Sequence, residues 1–227
     1  HAATRNIQYG PLFNYPRLGI LGLTATPSRH DGEPLEFEKE SYSIGFPELI
    51  EKQIILSPEI RQVEGETFET ITTAGSSFDG MDELSTSGRN KKIIEHIKAN
   101  LEDYQKVIIY AGSVSHTKDL YEEIEKSTLA ETYESIDYIV GGAWSGNDAE
   151  RSDFIERLKS YGRSIVVNHD VLAEGYDDPK INTIVMARPC RSKLVYMQAV
   201  GRGVRIDPQN PGKRAYIVEV VDDLPNI

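Results

Sequence analysis

The nine residues Met197 to Arg205, MQAVGRGVR, put two glycines and two arginines into a stretch that otherwise reads as a helix. At 3.6 residues per turn, Gln198, Arg202 and Arg205 fall at i, i+4 and i+7 on one face, while Tyr196, Val200 and Val204 line another. The polar face is then a fork of donors mounted on a packed helix. A guanidinium is planar and permanently charged and meets two phosphate oxygens at once, so phosphate holding is the chemistry such a face suits. A solvated face with two surface arginines is the plainer reading of the same residues. Gly201 and Gly203 each cost a helix about 1 kcal/mol relative to alanine, which implies that something lies against this element too closely for a side chain.

The charge distribution sharpens the question. Between Arg188 and Arg214 there are seven Lys or Arg residues and one acid, Asp207, so this segment is +6 in a chain of net charge −11, and the rest is −17. A body so acidic argues against coating nucleic acid non-specifically, whereas a local cationic strip on it can engage phosphates selectively, or be a solvated face, the reading the strip alone favours.

Elements must position these groups, and 227 residues hold one large domain or one and a half typical ones. No run of about 18 apolar residues and no charged-then-apolar signal segment occurs, so an intracellular protein is expected, cytoplasmic or, in a eukaryote, nuclear, with no membrane partner. One cysteine, Cys190, excludes an internal disulfide and a cysteine metal cluster and agrees with a reducing compartment. The first residue is His1 rather than methionine, from which a fragment is expected.

The apolar run Leu18 to Leu23 reads as a buried strand emptying into Thr24-Ala-Thr-Pro27, followed by a polar loop to Glu40. A short helix is expected at Phe46 to Ile50, a strand at Ile54 to Val63, and a surface excursion over Glu64 to Ser87. Helical spacing then marks Ile93 to Leu101, Leu120 to Ile124 and Phe154 to Tyr161. The last of these opens on an Asn147/Glu150 capping box and stops at Gly162. Strands are expected at Lys106 to Ala111, Ile136 to Val140, Ser164 to Val167, Thr183 to Ala187 and Ala215 to Val220. Alternating strands and helices imply an α/β fold with a parallel sheet covered on both faces, whose ligands gather at the carboxyl ends of the strands.

Four pieces occur in fixed order at strand ends or helix starts: LGLTATPSRHDG (21–32), VIIYAGSVSHTKDL (107–120), VVNHDVLAEGYDDP (166–179) and QAVGRGVR (198–205). The ordered set resembles motifs III, IV, V and VI of the superfamily 2 DExH-type helicases and translocases, in the branch of type III restriction-enzyme motor subunits and XPB-like helicases. That resemblance implies two RecA-like lobes, with ATP and its magnesium in the cleft between them and a nucleic-acid strand across both. Residues 1–53 would be the end of lobe one and residues 54–227 the whole of lobe two. His1-Ala-Ala3 looks like the tail of a DExH box, and no G-x-x-x-x-G-K-S/T phosphate loop is present, so the chain alone is expected to be inactive and magnesium to be held mainly by the rest of lobe one.

The resemblance also assigns roles. Arg202 and Arg205 would be arginine fingers aimed at the γ-phosphate held by lobe one, assisted by Gln198, and Gly201 and Gly203 would let their helix approach that lobe. An arginine finger contributes on the order of 10³ to 10⁵ in rate, which outweighs the cost of two glycines. Gly175 suits an unusual backbone conformation, and Asp177 a ribose acceptor or a coupling contact to the motif VI arginines; a plain turn is the other reading. Ser113 and Ser115 open a helix where phosphate binds readily, or serve only as N-caps. His169 stands where family members often carry a phosphate-binding threonine. Thr24 and Thr26 would couple ATP state to lobe orientation, or simply cap a turn before Pro27; Arg29 and Asp31 fit the same motif, and Trp144 would stack on a base or pack.

The expectation is part of an ATP-dependent DNA helicase or translocase, with its own lobe one, nucleic acid, and nuclease or repair proteins as partners. A non-catalytic RecA-like module that binds nucleic acid or a protein is the alternative. A dinucleotide enzyme is disfavoured, because no G-x-G-x-x-G opens a helix in the first βα unit.

Overall fold

The computed structural model describes residues 21–22, 39–74, 77–141, 148–169, 171–172 and 176–227. Thr24, Thr26, Arg29, Asp31, Trp144, Asn147 and Gly175 lie outside the described residues, as do most of the expected first strand and its loop. The chain divides into two compact units, His1–Leu49 and Ile50–Ile227, a division four residues before the end of the expected 1–53 segment. Of the first unit, residues 21–22 and those from 39 onward are described, the latter leading into helix α1 (Phe46–Glu51).

The second unit is built on six parallel strands: β1 (Pro58–Thr67), β4 (Lys106–Ala111), β5 (Ser135–Val140), β6 (Ser164–His169), β7 (Thr183–Ala187) and β8 (Ala215–Asp223). Their order is β1-β8-β7-β4-β6-β5. Helices α2 (Ser87–Ala99), α3 (Val114–Glu125), α4 (Asp148–Ser160) and α5 (Lys193–Gly203) supply the covering layers. β4 and β7 are buried at every position, the near-continuous apolar run that a strand covered on both faces requires. Registers set Ala111 beside Ala187 and Val140 beside His169, so the turns that leave β4, β5, β6 and β7 open on one edge.

Side-chain parity decides which layer each strand residue meets. Val107, Ile109 and Ala111 of β4, with Ile165, Val167, Val185 and Val218, form one core with Ile93, Ile97, Leu120 and Ile124 of α2 and α3. The opposite face carries the ends of α4 and α5. Lys106 Nζ reaches the carbonyls of Leu158 and Tyr161, and a Cβ placed on Gly203 would stand 2.9 Å from Ile184 Cγ1.

The glycine expectation is therefore corrected at Gly203. Its close neighbours, Ile184 and Ile217, belong to the sheet of its own unit, so the missing side chain lets α5 settle onto β7 and β8. Gly201 is different: among the described residues nothing lies within 4 Å of an added Cβ. Two opposite results follow. Gly201→Ala raises stability by up to about 1 kcal/mol through helix propensity. Gly203→Ala lowers it by about 1 kcal/mol, because an overpacking cost of about 1–3 kcal/mol exceeds that gain. Thermal melts of the two variants check the signs.

The excursion Glu64 to Ser87 is also corrected. It completes β1, forms the antiparallel pair β2 (Thr72–Ala74) and β3 (Ser77–Asp79), and closes with a 3-10 turn over Met81–Leu84. Its polar composition conceals three large apolar residues, Phe68, Ile71 and Leu84, which make a small core with Phe78, Met81 and Leu224. This core touches the functional region. A Cβ on Gly112 would lie 2.6 Å from Leu84 Cδ1, so the turn after β4 can only be glycine while Leu84 packs there.

The strand expected from Ile54 starts at Pro58. Ile55 instead forms an isolated antiparallel bridge with Arg205, and Leu56 N–H donates to Val204 O at 2.7 Å, so the residues before β1 are fastened to the end of α5.

Candidate functional site

α5 starts at Ser192, whose hydroxyl accepts from Val195 N–H, and Val204 closes its last turn. Arg202 is thus the penultimate helical residue and Arg205 lies beyond the helix. Both guanidiniums nevertheless turn to the same place, the segment after β6. Arg202 Nη1 donates to Tyr176 O, and Arg205 Nη1 donates to Tyr176 O at 3.3 Å and to the Asp177 carboxylate. The sequence motifs 166–179 and 198–205, separate in the chain, form one cluster.

The two arginines are not equivalent. Arg202 is 6% exposed, and burial, with Arg205 nearby, pulls its guanidinium below its ordinary pKa while Tyr110 and Asp177 oppose the shift. The Arg205 side chain is 34% exposed and its partner Asp177 is 77% exposed. An ion pair this open is worth about 0–1 kcal/mol, so Arg205 can exchange a carboxylate for another anion cheaply. Gln198 sits on α5 one turn before Arg202, half-buried. Gly203 stands over Ile184, the second residue of β7, so the end of α5 overlies the amino-terminal half of the sheet. α5 runs back across the sheet and carries its arginines away from the carboxyl edge, where the ligands of a parallel sheet are expected to gather.

Adjacent acids divide the labour after β6. Asp177 faces Arg205 and solvent, whereas Asp178 is 2% exposed and pairs with buried Lys106 at 2.5 Å. Tyr176 OH donates to Asp178 Oδ2 at 3.2 Å, and burial followed by Asp178 pushes that phenol above its ordinary pKa. Asn168, also buried, accepts from Val171 N–H and Leu172 N–H at 3.1 and 2.8 Å and so closes the turn that follows the strand. Lys106, Asn168 and Asp178 were not among the expected site residues; a lysine opening an apolar strand and an acid beside the chosen one were the only signals.

A second group lies at the carboxyl edge. Ser113 caps α3, its hydroxyl accepting from His116 N–H at 3.1 Å, and Ser115 Oγ donates to Asp119 Oδ2 at 3.3 Å. The N-cap reading therefore holds for Ser113, and a ligand there would meet its remaining lone pair and proton together with the first turn of the helix. His169 ends β6 on the neighbouring strand, Nδ1 lying 3.4 Å from Ala111 O.

Beneath this edge runs a buried polar network that the sequence reading did not find. His116 Nδ1 accepts from Gly112 N–H at 3.1 Å, which leaves Nε2–H to donate to Asn90 Oδ1 at 3.2 Å. Arg89, fully buried, makes a two-bond pair with Asp222 at 2.8 and 2.8 Å and donates to Ala187 O at 3.0 Å. Burial and the Arg89 charge hold the His116 imidazole at a pKa of about 3. The unfolded histidine, near 6.5, binds its proton first, so stability is complete above 6.5 and is lost as pH falls from there toward 3. The expected slope approaches about 1.4 kcal/mol per pH unit. Chemical denaturation at pH 7, 6 and 5 should show it in the native chain and a weaker slope in His116→Gln; equal slopes would assign it to other groups.

The model of the helicase conserved C-terminal domain matches residues 88–207, just over half of the chain. The chain belongs to this family. It is 22% identical over 199 residues to the protein named as ATP-dependent helicase IRC3 in Saccharomyces cerevisiae, and 26% identical over 215 residues to the mitochondrial one named irc3 in Schizosaccharomyces pombe. These alignments cover 84% and 92% of this chain but 28% and 34% of the relatives, so the chain spans about a third of their length. Among solved structures, the fragment of an HsdR subunit of a type I restriction enzyme from Vibrio vulnificus superposes with a TM-score of 0.64 at 18% identity, over 87% of this chain and 38% of that one. That likeness establishes the fold, a helicase C-terminal lobe of RecA-like type.

In this helicase lobe, no group of three or more His, Cys, Asp or Glu residues among those described is placed to hold a metal ion. None of the described helices is long and apolar enough to cross a membrane.

Proposed function

We propose that this chain is the second motor lobe of an intracellular, ATP-dependent DNA helicase or translocase. The observation that carries the reading is the convergence of Arg202 and Arg205 on Tyr176 and Asp177, in a member of the helicase C-terminal domain family. A lobe that completes an ATP site must present a donor fork to charge that develops on a transferring phosphoryl group, and guanidinium geometry fits that need. The exposed Asp177 keeps Arg205 oriented and yields it at small cost. ATP bound between the lobes would supply the hydrolysis energy, with its magnesium held by residues outside this lobe. The lobe's own part is to donate to phosphoryl oxygens through Arg205 and Arg202, with Gln198 beside them.

The second contribution is grip. Ser113, Ser115 and His169 lie along the carboxyl edge, where hydroxyls, helix N–H groups and an imidazole can contact sugar-phosphate backbone without reading sequence. Asp177 joins the two regions, because the segment it belongs to leaves β6 at His169 and ends under the arginines. The pair it makes with Arg205 is the coupling contact in this reading.

The test is coupling between nucleotide state and nucleic-acid affinity. In the full-length protein, affinity for duplex DNA should differ by about tenfold between the nucleotide-free form and the form with ADP–beryllium fluoride, a coupling of ordinary size. Equal affinities in both states, with DNA bound, would favour a non-catalytic module. Coupling seen with RNA instead would change the proposed track.

A further inference from the structure

Arg205 lies two residues beyond the last residue of α5, where no helical hydrogen bond fixes its position, yet an arginine that meets a phosphoryl group needs placement within about 0.5 Å. Lys213 provides an anchor. It is 8% exposed, and its ammonium donates to Arg205 O at 2.7 Å and to Pro179 O at 2.7 Å. One carbonyl belongs to the strand of chain that carries the arginine, the other to the segment that carries Asp177. The loop that returns Lys213 beneath them is itself ordered by backbone bonds from Asn210 N–H to Asp207 O and from Lys213 N–H to Asn210 O, both 3.0 Å. On its other side Arg205 is held by the bridge to Ile55.

Three donors on a compact ammonium suit this task, since two carbonyls from different segments can be drawn to one point. Burial pulls the Lys213 ammonium down to about 8, with Asp207 and Asp178 opposing the shift and Arg205 adding to it. A surface lysine would suffice for solubility; a lysine held in this desolvated position binds the two halves of the arginine cluster together.

We propose that Lys213 is a positioning residue, which sets Arg205 and the Asp177 segment in register for phosphate contact. This rests on the role of Arg205 proposed above. In the full-length protein, Lys213→Met should lower kcat for nucleic-acid-stimulated ATP hydrolysis at least about tenfold, since displacements of about 1 Å at a reacting centre cost up to about a hundredfold. The KM for ATP and the affinity for DNA should stay within about twofold, because the loss falls on the transition state. Lys213→Arg, which can still donate to both carbonyls, should recover most of the rate.

The deciding readout is the double variant. If Lys213 acts through Arg205, then Lys213→Met brings no further fall in kcat once Arg205→Ala is present. Multiplying losses, or a folded Lys213→Met with unchanged kcat, would overturn the proposal. If Lys213→Met lacks a cooperative melt, Lys213→Gln, which keeps one donor group, is read in the same way. Near-normal turnover in Arg205→Ala alone would defeat the arginine-finger reading itself, and this proposal with it.

Discussion

Arg205→Ala in the full-length protein is expected to lower nucleic-acid-stimulated ATP hydrolysis by at least about a hundredfold, toward the 10³ to 10⁵ that arginine fingers contribute, while leaving the fold intact. The structural ground is its exposure: the guanidinium is a third accessible, and its charged partner among the described residues, Asp177, is mostly in solvent. Removing an exposed pair costs about 0–1 kcal/mol, so the thermal melt should hardly move. Arg202→Ala is expected to fall as far in rate but to lose stability as well. Arg202 is nearly sealed and donates to Tyr176 O, and truncation there removes a buried charge-assisted hydrogen bond and leaves that carbonyl only the 3.3 Å contact from Arg205, at about 1–3 kcal/mol. Parallel melts and turnover measurements separate the two arginines. A folded Arg205→Ala protein with ordinary turnover would remove the arginine from the mechanism.

The second large effect is on stability and lies away from the arginines. Arg89 and Asp222 are 0% and 1% exposed and joined by two bonds of 2.8 Å, with Arg89 also donating to the last residue of β7 and Asp222 accepting from Glu66 N–H. Arg89→Met leaves a carboxylate in the interior without its counter-charge, and the expected cost is about 3–5 kcal/mol. Replacing both partners with apolar residues should cost less than either single change, because no charge is then stranded. Urea denaturation of Arg89→Met, Asp222→Leu and the double variant measures the cycle. A single-variant loss below about 1 kcal/mol would show that the pair does not hold the carboxyl edge together.

The sheet was legible because buried parallel strands write continuous apolar runs: Lys106–Ala111 and Thr183–Ala187 were found residue for residue. The arginine helix was found through its periodicity, and the contact between Asp177 and Arg205 was one of three readings open for that aspartate. What composition obscured was small-scale packing. Phe68, Ile71 and Leu84 are diluted among acids and hydroxyls over about twenty residues, so no window of the sequence signals the small core that presses on Gly112. Gly203 was correctly read as a close approach, but one glycine cannot say which neighbour approaches, and the neighbour is Ile184.

Long-range polar contacts were illegible for a different reason. Arg89 and Asp222 are 133 positions apart, Lys106 and Asp178 are 72 apart, and no local pattern pairs them. In the sequence Lys213 is marked only as one of the seven cations between Arg188 and Arg214. Its place under Arg205 depends on α5 crossing the sheet and returning through Asp207 to Lys213, which is a property of topology.

The most direct measurement of the central claim is the ATP hydrolysis rate of the full-length protein with and without duplex DNA, single-stranded DNA and RNA. The account predicts a slow basal rate that duplex or single-stranded DNA raises by at least about tenfold, with the stimulation lost at high salt as phosphate contacts are screened. A protein that binds DNA but hydrolyses no ATP with any of the three polymers would contradict it.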